Sequence, residues 1–383
     1  MKATWAVLGA IVLAGGVGIW KLRQSAPEAS PPALSATTGV DGAAGPLLPA
    51  PLLPAQVPAA SGQASAVGAA LPVPPSPQEE RGKALVGALV QAHGAGDQAR
   101  IDALEGSLRS EAWDSVAARR YAVQSGLLLV RKAEALQGEE RIRLLDRARR
   151  LVSRGVWLDE TFDARGLGTP ERERLLETLR GLNQQVMTWR PGLEGVTRAY
   201  KVPPGKSPVQ VVSDEKLRLG HNALLVWNKR GVLDPRRLVA GETLLLPMGE
   251  LHLEVSLARR LLVVWIDDVW VKEFRVGVGK PSTPTPTGVF RVVKKHENPP
   301  WYPPQGGIIP AGDPRNELGS VWIHIGNDQH PEGYGIHGTN RPDTVGSECS
   351  QGCVRLANEQ ASEIFWWVRT ASAGGEATKV LIR

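Results

Sequence analysis

Cys353 and His337 are the residues of this 383-residue chain whose types and spacing best suit covalent chemistry. Cys353 sits in Ser350-Gln351-Gly352-Cys353-Val354-Arg355-Leu356, and His337 opens His337-Gly338-Thr339. A thiolate attacks a carbonyl carbon far better than a thiol does, so a nucleophilic cysteine needs a neighbour that takes its proton. Imidazole suits that role near neutral pH. Gly352 keeps side-chain bulk away from the Gly352-Cys353 step, whose N–H groups can then point at the oxyanion of a tetrahedral intermediate. Arg355, two residues on in an extended segment, shares a face with Cys353, where it either raises thiolate character or holds a substrate carboxylate. The chemistry is acyl transfer through a thioester. By residue type alone, a small buried thiol and a satisfied structural histidine are the alternative, because separation in sequence does not establish contact in space.

The elements that must position these residues are mainly strands. Leu251, Leu253, Val255 and Leu257 alternate with more polar residues, Arg259-Arg260 interrupts, and apolar runs follow over Leu261 to Ile266 and Val269 to Val276 around Asp267-Asp268. This pattern predicts consecutive antiparallel strands with tight turns. Val289 to Val293 and Val321 to Ile325 add β-branched strands, and Glu359 to Val368 reads as a short helix with its apolar side on the sheet.

Along the same region run Gly277-Val-Gly-Lys-Pro-Ser-Thr-Pro-Thr-Pro-Thr-Gly-Val-Phe290, Asn298-Pro-Pro-Trp-Tyr-Pro-Pro304, Asn316-Glu-Leu-Gly319, Ile336-His-Gly-Thr339 and the Cys353 motif. In this order and spacing, residues 250 to 383 closely resemble the L,D-transpeptidase (YkuD-like) catalytic domain. The resemblance implies that Cys353 is the nucleophile, that His337 is general base and acid, and that the Gly338 carbonyl orients the imidazole. It further implies that Ser350, Gln351, Gly352, Thr339 and Arg355 line the acyl site. Many members carry His or Arg where this chain has Gln351. Carbapenem-type β-lactams are expected to acylate Cys353.

Upstream, Tyr200-Lys-Val202, Pro208 to Leu219, Asn222 to Asn228 and Leu238 to Pro247 suggest a β-α-α-β unit that resembles a LysM glycan-binding module. Gly205-Lys-Ser-Pro208 lacks that family's usual acidic residue. Most of the chain's net charge of +6 falls on residues 196–248, whose basic residues outnumber acidic ones nine to four, whereas residues 249–383 are nearly neutral. No nucleic-acid motif accompanies this charge, so nucleic acid is not an expected partner and an anionic wall polymer fits better.

Ala3 to Trp20 carries no charge and is flanked by Lys2 and by Lys21 and Arg23, which suggests a signal anchor, or a signal peptide, over 1–23. Residues 24–78 hold 12 Pro and 14 Ala and read as a disordered stalk. Residues 79–195 mix charge with apolar stripes, Leu127-Val130-Ala133-Leu136 and Ile142-Leu145-Ala148-Leu151-Val152, which predicts helical hairpins broken near Gly138 and Gly166 to Pro170. This region is a candidate scaffold or docking unit for a protein partner.

The expected chain is therefore multidomain α+β: a helical N-terminal region, a LysM-like module over 196–248 and a mainly-β catalytic domain over 249–383. Cys349 and Cys353 are its two cysteines, without a metal-ligand pattern, and no cofactor or metal is expected. Cys349 is either an inert neighbour or a partner in a disulfide that masks the nucleophile. The function expected is peptidoglycan cross-linking at the cell envelope, with the catalytic domain anchored outside the cytoplasmic membrane. An L,D-carboxypeptidase, a protein-to-wall anchoring enzyme and a non-catalytic wall tether are the alternatives.

Overall fold

The computed structural model describes residues 75–163, 168–187, 197–221, 224, 238–371 and 376–383. The expected anchor, nearly all of the stalk and most of the helix from Asn222 to Asn228 lie outside these residues. Among the described residues no helix is long and apolar enough to cross a membrane.

The helical region contains α1 (Pro77–Ala95), α2 (Gln98–Glu111), α3 (Val116–Ala133), α4 (Gly138–Ser153) and α5 (Pro170–Met187). The stalk expected to reach residue 78 ends earlier. Ser76 accepts a hydrogen bond from the Glu79 N–H at 3.2 Å, and Pro77 stands in the first turn, two strong helix-start signals. On α4 the stripe Ile142, Leu145, Ala148 and Val152 is buried as its spacing predicts. On α3, Ala133 of the expected stripe is buried and Val130 packs beside it on the α4 cluster, whereas Leu127 is 39 % exposed and the other buried residues are Ala118, Ala122 and Gly126. The two helices approach so closely that a methyl group on Gly126 would stand 2.7 Å from Val152, so the crossing point requires a glycine.

A short antiparallel pair follows, β1 (Thr197–Lys201) with β2 (Thr243–Pro247), and α6 (Pro208–Asp214) lies between them in sequence. The helix expected to run to Leu219 stops at Asp214. Lys216 takes a left-handed φ of 52°, and the Leu217 N–H returns to the Val212 carbonyl, which closes the helix end.

Eight strands form the main sheet in the order β11-β9-β8-β7-β12-β3-β4-β5. They are β3 (Leu251–Ser256), β4 (Leu261–Ile266), β5 (Val269–Arg275), β7 (Gly288–Glu297), β8 (Val321–Gly326), β9 (Tyr334–His337), β11 (Val354–Arg355) and β12 (Lys379–Ile382). Two short strands, β6 (Val278–Gly279) and β10 (Glu348–Ser350), pair beside it, and α7 (Asn358–Trp367) packs on β8 and β9. The expected β3-β4-β5 meander is present, with Arg260 and Asp267 supplying left-handed turn residues at φ 50° and 49°.

The apolar run of β4 has a two-sided cause. Leu262 and Val264 face the central core with Phe290, Ile323, Ile336 and Ile364, whereas Val263 and Trp265 face Val152, Val156, Leu176 and Leu179 of the helical region. A strand covered on both faces has no polar side to present. The helices also close the edge of the sheet. Trp270 on β5 donates its N–H to Ser153 Oγ at 3.0 Å and accepts from Asn183 Nδ2 at 2.7 Å. Trp157 Nε1 donates to Glu254 at 2.7 Å, and Arg150 and Arg172 pair with Asp268 and Glu273. Residues of the β1-β2 unit, among them Leu219, Leu244 and Leu246, belong to the same core cluster as Leu251 and Trp367.

Trp270 is 1 % exposed at the centre of this contact. Trp270→Ala is expected to lower stability by about 3–5 kcal/mol in urea unfolding through the cavity it leaves. A change below about 1 kcal/mol would show that the site collapses without cost.

Candidate active site

Parallel pairing of β11 with β9 sets Arg355 beside His337 and Val354 beside Ile336. Strand side chains alternate between faces, so Val354 and Ile336 enter the core while Arg355 and His337 share the other face. Cys353, one residue before β11, stands level with Gly335 on that same face. Trp322 of β8 lies opposite His337, with ring centroids 5.4 Å apart. A side chain on Gly335 would collide with the Trp322 indole, since its Cβ would fall 2.6 Å away. Gly335 thus leaves room for the Trp322 indole in the pocket wall.

The turn before Cys353 is held by Ser350, whose Oγ donates to the Cys353 carbonyl at 2.6 Å and accepts the Gly352 N–H at 3.1 Å. Gly352 has φ +111°, and a Cβ there would meet the Tyr334 ring at 2.8 Å. Only glycine suits both constraints. Ser350 thus occupies the Gly352 N–H.

A long loop, residues 298–320, roofs the site. Asn316 pins it, donating to the Pro299 and Pro310 carbonyls at 2.9 and 3.2 Å and accepting the Leu318 N–H at 2.9 Å. Trp301 and Ile309 exchange backbone hydrogen bonds across its hairpin, both 2.8 Å. Asn358 at the start of α7 accepts N–H groups from Ser320 and Thr339, each at 3.1 Å, and so ties the loop to the histidine segment. Roof and sheet enclose a pocket of about 620 Å³ whose walls include His337, Cys353, Arg355, Glu317, Trp322 and Trp301.

Ser350 and Gln351 also line this pocket. Gly352 and Thr339 stand behind it: Gly352 shapes the turn, and Thr339, 1 % exposed, accepts the Arg341 N–H at 3.0 Å. Cys349 is not in the pocket wall either, and its sulfur lies against Gly277. Glu317 and Trp322 had no role assigned from sequence. Glu317 falls in the Asn316-Glu-Leu-Gly319 motif, which was the available signal.

His337 Nδ1 lies 2.6 Å from the Gly338 carbonyl. A carbonyl only accepts, so the proton sits on Nδ1 and Nε2 keeps its lone pair. Burial, reinforced by the Arg355 charge, pushes the imidazole down to about 4, against the opposing pull of the Gly338 and Leu318 carbonyls. Burial also pushes the Cys353 thiol up, with the Gly335 backbone and Arg355 acting against it. The thiol points at the Gly333 carbonyl, 3.8 Å away. The resting pair is therefore neutral thiol and neutral imidazole, which stand on one face without a hydrogen bond between them. Among the described residues, no group of three or more His, Cys, Asp or Glu side chains is gathered to hold a metal ion.

A neutral base and a thiol on one face of a roofed pocket define an acyl-transfer type of site. The protein-family model of the L,D-transpeptidase (YkuD) catalytic domain matches residues 250–382. The chain is 32 % identical over 171 residues to a putative L,D-transpeptidase YkuD of Bacillus licheniformis, covering 90 % of that protein and 43 % of this one. It is 36 % identical over 137 residues to a putative L,D-transpeptidase YqjB of Bacillus subtilis, covering 72 % of that protein and 35 % of this one. Among solved structures, the catalytic domain of an E. faecium L,D-transpeptidase is 26 % identical, with 36 % of this chain and 98 % of that one covered and a TM-score of 0.27. This chain belongs to the L,D-transpeptidase family.

Proposed function

We propose that this protein forms peptidoglycan cross-links through a thioester on Cys353. The observation that carries this reading is the placement of Cys353, His337 and Arg355 on one face of the sheet, inside one roofed pocket. As Cys353 attacks the carbonyl between an L-centre and a D-centre of a tetrapeptide stem, its proton passes to His337 Nε2. The Cys353 N–H donates to the oxyanion. Collapse expels the terminal D-residue, which takes the proton from the imidazolium, and leaves the thioester. The side-chain amine of a neighbouring stem then attacks, gives its proton to His337 and restores the thiol.

Ser350 positions the nucleophile's turn, and Gln351 contacts the acyl donor. Thr339 and Gly352 act on the geometry of the pocket rather than on substrate. The antiparallel β1-β2 pair with α6 between supports a LysM-like reading of residues 196–248, with glycan as its ligand. Packing of that unit and of the helical region on the sheet favours a rigid ectodomain, held outside the cytoplasm by the segment over 1–23. The helical region, its outer surface free of the sheet, is the place for a protein partner.

The protein is to be incubated with disaccharide-tetrapeptide muropeptides and the products weighed by mass spectrometry. Cross-linked dimers are expected. Loss of the terminal residue without dimers means that water is the acceptor, and transfer to an added lysine-bearing envelope protein means anchoring. Unchanged muropeptides with retained sacculus binding would leave only a tether.

A further inference from the structure

Arg355 presents an unusual electrostatic situation. Its side chain is 7 % exposed, and of its three nitrogens only Nη2 is bonded, to Glu317 Oε2 at 2.6 Å. Nε and Nη1 have no hydrogen-bond partner and are closed off from solvent. A buried guanidinium with two unused donors is costly unless negative charge arrives beside it. Glu317 is held in turn by Arg341, whose Nη2 reaches Oε1 at 3.0 Å from a half-exposed position outside the pocket wall. The carboxylate is thus clamped from both oxygens. The other titratable groups of the pocket are His296 from β7, Tyr302 from the roof, His337 and Cys353.

We propose that Glu317 is a positioning residue, which fixes the Arg355 guanidinium beside Cys353 and His337 and offsets part of its charge until the thiol is deprotonated. As the proton leaves sulfur for the imidazole, the negative charge appearing on sulfur and then on the carbonyl oxygen becomes the second counter-ion of Arg355. Glu317 acts through Arg355 and touches no reacting atom. This inference rests on Cys353 being the nucleophile, and it extends that reading by naming what sets the nucleophile's charge.

The test is the pH profile of iodoacetamide alkylation at Cys353, read by peptide mass spectrometry on the whole protein, which requires no turnover. Glu317→Gln keeps an oxygen for Nη2 but removes the charge, so the midpoint is expected to fall by about one pH unit, a roughly tenfold gain in thiolate. Arg355→Met is expected to raise it by about as much, and the double variant should coincide with Arg355→Met. Arg355→Lys retains a cation, and Glu317→Gln in that background should again lower the midpoint, which covers the case in which Arg355→Met does not fold. A Glu317→Gln shift that persists in the Arg355→Met protein, or no shift in any background, overturns the proposal. Should the coupling hold while tetrapeptide stems go unprocessed, the acyl-transfer reading fails and the positioning role stands.

Discussion

Cys353→Ala is expected to abolish release of the terminal D-residue from tetrapeptide stems, a loss of about 10⁴-fold or more in kcat, while the thermal midpoint stays near that of the parent. The loss is large because sulfur supplies the electrons of the new bond. No other group in the pocket wall replaces it: Cys349 lies against Gly277, and Ser350 Oγ is committed to the Cys353 carbonyl. Stability should change little, because Cys353 is only half-buried and its turn is held by Ser350 and Gly352. Cys353→Ser should be nearly as inactive, since a hydroxyl is a far poorer nucleophile at the same pH. Alanine that retained more than about a hundredth of the activity would assign the nucleophile elsewhere.

His337→Gln should lower the acylation rate by about 10²- to 10⁴-fold, and the pH profile of the parent should show why. A base must be unprotonated to act. With the folded-state value near 4, the imidazole stays in its basic form at every pH well above that, so the acid limb lies close to pH 4. Between pH 5.5 and 8 the acylation rate should vary by no more than about twofold, whereas an ordinary imidazole would have lost roughly nine-tenths of its basic form at pH 5.5. The alkaline side is also flat, because the thiol is raised and remains protonated until the base removes its proton. The same shift makes a stability statement. His337 binds a proton in the unfolded chain before it does in the native one, so its contribution is present above pH 6.5 and is lost as pH falls from there through 4.

Local chemistry made the β3-β4-β5 meander legible, because its alternation and its Arg260 and Asp267 turns lie within two dozen residues. The nature of β4 was not legible: six apolar residues in a row record a second layer, α4 and α5, from about a hundred residues earlier. Stripe counting held only in part on α3: Val130 and Ala133 pack on the α4 cluster, but Leu127 is exposed and the close approach to Val152 falls on Gly126, outside the stripe. At the site, motif spacing pointed to Cys353 and His337, but their shared face depends on a parallel β11-β9 pairing that periodicity does not reveal. Glu317 was hidden more deeply. Nothing in a loop residue's neighbours in sequence tells that its carboxylate will meet two arginines from separate segments.

The proposed reaction passes through a covalent intermediate at one sulfur. Intact-protein mass spectrometry of the enzyme quenched in acid during turnover of a tetrapeptide stem tests it most directly. The expected adduct has the mass of the stem minus its terminal residue and the displaced hydrogen, maps to the peptide carrying Cys353, and disappears with hydroxylamine. An unmodified protein during turnover, or an adduct on any other residue, contradicts the account.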